Sequence, residues 1–127
     1  VGLALLHDIT IWPVLCNVSD IQRIRAAKDA FGLNDAEFIP YFVAAPPAAT
    51  DMKDVYISAY KKPDGKVLLA VVNTSGEPRQ GNVTINARRL GINTAQAITW
   101  PDKKPAAQQG DVLRINIDGL DYQLFEF

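Results

Sequence analysis

The chain has 127 residues, of which 48% are hydrophobic and 21% charged, with 13 basic and 14 acidic side chains. That is enough apolar material for the core of one domain, or of a small domain with an attached piece. A net charge of −1 offers no electrostatic footprint for a nucleic acid or an anionic membrane, and a single cysteine excludes an internal disulfide and any multi-cysteine metal site.

The opening stretch, VGLALLHDITIWPVLCN, is mostly apolar. A signal peptide needs a basic segment ahead of its apolar run, and here the run starts at Val1. His7 and Asp8 interrupt it too early for a membrane span. The opening therefore reads as the end of a preceding part of a longer polypeptide. GLALLHD, a short continuous apolar run, predicts a strand buried on both faces. SDIQRIRAAKDAFG predicts a helix. Ser19 and Gln22 suggest a capping box, Ile21, Ile24, Ala27 and Phe31 recur on one face, and Arg25 and Asp29 pair on another. Gly32 closes it. NDAEFIPYF reads as a helical turn and then extended chain. VAAPPAATDMKD, residues 43–54, reads as a linker or crossing segment.

From residue 55 the hydrophobic period becomes two. DVYISAYKK places Val55, Ile57 and Ala59 on one face and Tyr56, Ser58 and Tyr60 on the other. PDG makes a tight turn, with Gly65 at the positive-φ position. KVLLAVVN is apolar throughout and predicts a central strand. TSGEPRQG is a loop, NVTINA and AQAITW are strands, RRLGIN connects them, and PDKKPAAQQG is an exposed loop. DVLRINI, a DG turn and LDYQLFEF end the chain as a hairpin-like pair of strands. The expected fold is mainly β: an antiparallel, Greek-key-like β-sandwich over 55–127, preceded by a strand–loop–helix segment over 1–42 and a linker over 43–54.

The chemistry-bearing residues are few. His7 and Asp8 form the one candidate acid–base pair, but neighbours on a strand point to opposite faces. Cys16 lacks the partners of a thiol enzyme and reads as a structural thiol. Ser19, Ser58 and Ser75 sit in no nucleophile elbow, and GEPRQG lacks the ending of a phosphate loop. Asp51, Asp54, Asp64, Asp102, Asp111, Asp118 and Asp121 fall in turns, where aspartate is a turn former, rather than in a pair suited to glycoside hydrolysis. No residue is assigned a catalytic, cofactor-binding or metal-binding role, and no cofactor is expected. Tyr56, Tyr60 and Trp100 are candidates for stacking on a sugar ring, with Trp12 and Tyr41 near the other end. Formal glycosylation sequons occur at Asn17, Asn73 and Asn82.

The run KVLLAVVNTSGEPRQGNVTINARRLGI, followed by AITWPDKK and LRINIDGLDYQLFEF, resembles the C-terminal β-sandwich of many glycoside hydrolases. LALLHDITIWP is similar to the end of the catalytic barrel in large bacterial proteins of the glycoside hydrolase family 123 type. The resemblance implies that residues 1–42 are the last strand, loop and helix of a (β/α)8 barrel, with His7, Asp8 and Trp12 near the parent's substrate cleft. It implies an accessory domain that packs on the barrel of an extracellular or periplasmic glycosidase, without catalysing hydrolysis itself. A carbohydrate-binding module using exposed aromatics is the first rival, and a standalone enzyme using His7 and Asp8 the second. Expected partners are the parent's barrel and carbohydrate, not nucleic acid or membrane. A lone barrel strand leaves its edges unpaired, which raises dimerisation through the N-terminal strand.

Overall fold

The structure is a computed structural model and describes residues 2–10, 18–93 and 96–127. Trp12, Cys16 and Asn17, named above, lie outside the described residues. Two helices come first, α1 (Gly2–His7) and α2 (Val18–Phe31), and a 3-10 turn over Leu33–Asp35 leads to β1 (Glu37–Ile39). Then follow β2 (Ala48–Thr50), β3 (Val55–Lys61), β4 (Val67–Asn73), β5 (Arg79–Ile85), the short α3 (Ala87–Leu90), β6 (Ile98–Trp100), β7 (Gln108–Gln109), β8 (Val112–Ile117) and β9 (Tyr122–Glu126).

The strands form a sandwich. One sheet has the order β1–β3–β4–β9–β6, the other β2–β5–β8–β7, and the pairings are antiparallel. The expected linker thus supplies β2, and the segment before it supplies β1. Between the sheets, Ile57, Ala59, Leu69 and Val71 pack with Val83, Leu113, Ile115 and Ile117. This is the alternating face that the sequence predicts, closed from two sides to exclude water.

A third layer of helix covers the other face of the five-stranded sheet. Leu5 of α1 and Ile24, Ala27 and Phe31 of α2 pack on Tyr60, Leu68, Ala70 and Leu124. β4 is consequently buried at every residue, as its unbroken apolar run requires. α2 uses the predicted apolar face, and Gly32 ends it in a left-handed conformation, its amide donating to the carbonyls of Lys28 and Asp29. The helix already includes Val18, so Ser19 lies in its first turn rather than at the cap. RRLGIN, expected as a plain connection, holds α3, whose Asn86 side chain accepts from the Arg89 amide.

The structure corrects the expectation for GLALLHD: it is a helix, not a strand. A continuous apolar run has no period to distinguish the two, but this one contains Leu and Ala and no β-branched residue until Ile9. A helix also satisfies its own backbone while lying on a sheet face. Its last carbonyls, which have no partner within the helix, accept from the sheet below: Tyr60 Oη donates to Leu5 O at 2.8 Å, and Ser58 Oγ to Leu6 O at 3.0 Å. Gly2 lets α1 approach β4 so closely that an added Cβ would collide with Val72. Gly2–His7, being helical, offers no strand edge of its own, so the expected basis for dimerisation through an N-terminal strand is removed.

The VVNTS motif is a structural junction. Asn73 is buried, and its Nδ2 donates to Glu77 O and Asp118 O while its Oδ1 accepts from the Ser75 amide and hydroxyl. Thr74 donates through its amide and its hydroxyl to Asp54 O. One turn thereby ties together three loops at one end of the sandwich. The Asn73 sequon is thus closed in the folded state, whereas Asn82 is exposed and bonded to Asp51.

Tyr60→Phe leaves the buried Leu5 carbonyl without its donor. We expect a loss of about 1–2 kcal/mol in urea unfolding, and faster hydrogen exchange confined to α1.

Candidate functional site

His7 and Asp8 are adjacent in the chain and apart in space. α1 ends after His7, and Asp8 takes a left-handed conformation (φ 50°) that turns the chain away. The Asp8 carboxylate accepts from Lys28 Nζ of α2 at 3.1 Å. The His7 ring instead meets Tyr41 edge-on, with centroids 5.7 Å apart, and stacks near Phe42 at 6.3 Å. An acid-oriented base needs both side chains on one another, and the geometry gives them different neighbours. The recess beside Asp8, about 650 Å³, lies between α1 and α2 and has Lys28, Arg25 and Asp29 on its walls.

The His7 contact builds an aromatic ledge. Tyr41 touches Phe42 at 5.2 Å and Tyr56 at 4.8 Å, so four rings form one connected group. Tyr41 is positioned by its own amide, which donates to Ser58 Oγ just after β1 ends. Phe42 is 66% exposed, and Leu3, one turn before His7 on the same side of α1, is 58% exposed. The ledge joins three residues named from the sequence, His7, Tyr41 and Tyr56, that lie far apart in the chain. Phe42 was missed because a single aromatic in a loop carries no periodic signal.

The three proposed stacking residues do not form one platform. Tyr60 is 2% exposed and lies beneath α1, so it is a core residue, and this corrects its reading as a sugar-stacking ring. Burial, with the nearby Asp8 charge adding to it, holds its hydroxyl protonated well above the usual tyrosine range. Tyr56 remains exposed, in the ledge. Trp100 stands on β6, separated from β3 by β4 and β9.

Trp100 has its own surroundings. Its Nε1 donates to Glu126 at 2.8 Å, and Lys103 Nζ lies 3.6 Å from the ring centroid, over one face. Lys103 also bonds Glu126, so ring, cation and carboxylate form a closed triangle. Partial burial alone would raise the Glu126 carboxyl, but the bonds from Lys103 and Trp100 outweigh it and hold the group below the usual carboxylate range. Trp100 also borders a groove of about 390 Å³ between α2 and β9, with Arg23, Asp102 and Tyr122 on its walls. Arg23 and Tyr122 were missed because α2 and β9 meet only in the folded chain.

Among the described residues, no three or more His, Cys, Asp and Glu side chains gather as a metal site would require. No described helix is long and apolar enough to cross a membrane. Every buried side-chain nitrogen and oxygen among the described residues has a hydrogen-bond partner.

Residues 20–116 match the family described as glycoside hydrolase 123, C-terminal domain. The match runs from the first turn of α2 into β8. No curated protein matches the chain. Among solved structures, that of a rhamnosidase from Novosphingobium sp. PP1Y aligns with a TM-score of 0.45 and 14% identity, over 84% of this chain and 10% of that one. The chain thus spans about a tenth of the rhamnosidase's length.

The depressed Glu126 carboxyl contributes stability that is present above the ordinary glutamate value, about 4.3, and is lost as pH falls through the lower folded value. We expect thermal midpoints of the wild-type chain to decline across that acidic window, and those of Glu126→Gln to decline less.

Proposed function

Because the chain belongs to the glycoside hydrolase 123 C-terminal domain family, we propose that it is a non-catalytic accessory sandwich that packs against the catalytic domain of its own polypeptide. The observation that carries this reading is the ledge of His7, Tyr41, Phe42 and Tyr56 with Leu3 beside it. Exposed apolar side chains gathered on one surface mark an interaction face more often than scattered ones do. Aromatic rings with polar tips suit an interface between domains, where part of each side chain stays near water. In a C-terminal domain the preceding polypeptide enters ahead of α1, which places the ledge beside that entry. The different neighbours of His7 and Asp8 support the non-catalytic reading.

Covering the ledge excludes water from four rings and fixes the domain against its neighbour. The role is mechanical: it shields apolar surface and limits the motion of the segments it touches. On this reading the catalytic residues belong to the other domain, a (β/α)8 barrel as the sequence resemblance implies.

The test uses the longer polypeptide and the chain alone. Leu3→Asp with Phe42→Asp is expected to change the stability of the isolated chain by about 0.5 kcal/mol or less, because both side chains already face water. In the longer polypeptide the same pair should lower the unfolding temperature of the catalytic domain by several degrees and open the junction to protease. An unchanged catalytic domain would overturn the docking role. The isolated chain should not hydrolyse a panel of aryl glycosides, and turnover that His7→Ala abolishes would refute the non-catalytic assignment.

A further inference from the structure

We propose that the groove between α2 and β9 is a binding site for a neutral pyranose sugar, with Trp100 and Tyr122 as its apolar walls and Arg23 and Asp102 as its hydrogen-bonding rim. Its volume, about 390 Å³, lies at the lower end of the range of about 300–1,000 Å³ usual for small-ligand sites. That size suits one or two sugar rings rather than a long chain. α2 makes the room by presenting Ala26 and Ala27 where larger side chains would fill it.

The walls have the chemistry that a pyranose needs. One face of such a ring carries C–H groups that pack on an aromatic surface, while its hydroxyls point outward. Trp100 and Tyr122 are both half-buried, and the buried Leu124 lies between α2 and the sheet as the floor. Trp100 is held in place before any ligand arrives, by its bond to Glu126 and by Lys103 over one face. Lys103 sits over the ring without lining the groove. A ring already fixed loses little freedom on binding.

The rim suits a neutral, hydroxyl-bearing ligand. Arg23 offers a planar fork of donors and Asp102 offers acceptors, and a sugar hydroxyl is both donor and acceptor. Their charges are opposite, so this pair alone favours neither an anion nor a cation. Burial holds the Tyr122 hydroxyl above the usual tyrosine range, with Arg23 pulling it down and Asp121 and Asp20 pushing it up. The groove shares no wall with the aromatic ledge, so this site is independent of the docking role.

The test is a titration of the ¹⁵N-labelled chain with methyl β-galactopyranoside and methyl β-glucopyranoside, with sodium glucuronate as the charged comparison. A neutral glycoside should shift the Trp100 indole N–H and the amides around Arg23, with a dissociation constant on the order of 1 mM. Ala26→Phe fills the groove from an exposed helix position and should abolish the shifts while leaving the unfolding midpoint in place. Arg23→Ala, also exposed, should weaken binding about fivefold to tenfold. The proposal is overturned if neither glycoside moves the Trp100 signal, if Ala26→Phe binds as the wild type does, or if glucuronate binds more tightly than both.

Discussion

β4 cannot be exposed on either face. Its seven residues, Val67–Asn73, are all buried, and six of them are apolar. A strand of this kind needs cover on two sides, because each side exposed to water would forfeit about 25 cal/mol for every Å² of apolar surface. The second sheet provides one cover and the helices the other. The three layers follow from that requirement. So does the central place of β4, between β3 and β9.

The helical cover carries the functional surfaces with it. α1 lies on β3 and β4, held by the Tyr60 and Ser58 hydroxyls, and its exposed side meets the turn after β1 to make the ledge. α2 lies along the β9 side, and its small residues leave the groove beside Trp100. Both surfaces sit where a helix ends its contact with the sheet. One pair of packing decisions thus produces an apolar face suited to a neighbouring domain and a recess with a polar rim. Tyr60 illustrates the division: the ring that would be a surface residue in a bare sandwich becomes an anchor once a helix lies over it.

Where β4 ends, Asn73 does for the loops what β4 does for the layers. Its amide side chain has two donors and an acceptor, and all are used on two segments of backbone, the turn holding Ser75 and Glu77 and the loop at Asp118. An apolar residue there would leave Glu77 O and Asp118 O without those bonds, and a charged one would face two carbonyl oxygens. This accounts physically for the VVNTS stretch on which the family resemblance partly rests: the residues close a corner rather than touch a ligand.

The sequence by itself determined the sandwich. Alternation over Val55–Lys61 and Val112–Ile117, the unbroken run of β4, the PDG turn and the Gly32 stop are local signals, each set by the backbone geometry of a few consecutive residues. The tertiary structure alone decided three things. It made GLALLH a helix, since an apolar run without a period takes the form that its surroundings can cover and hydrogen-bond. It sent His7 and Asp8 to different partners, through one left-handed residue that composition does not announce. It also brought Arg23, Trp100 and Tyr122 to one groove and His7, Tyr41 and Tyr56 to one ledge. Those groupings span up to about a hundred residues of chain, and the contacts that make them exist only once the helices have settled on the sheet.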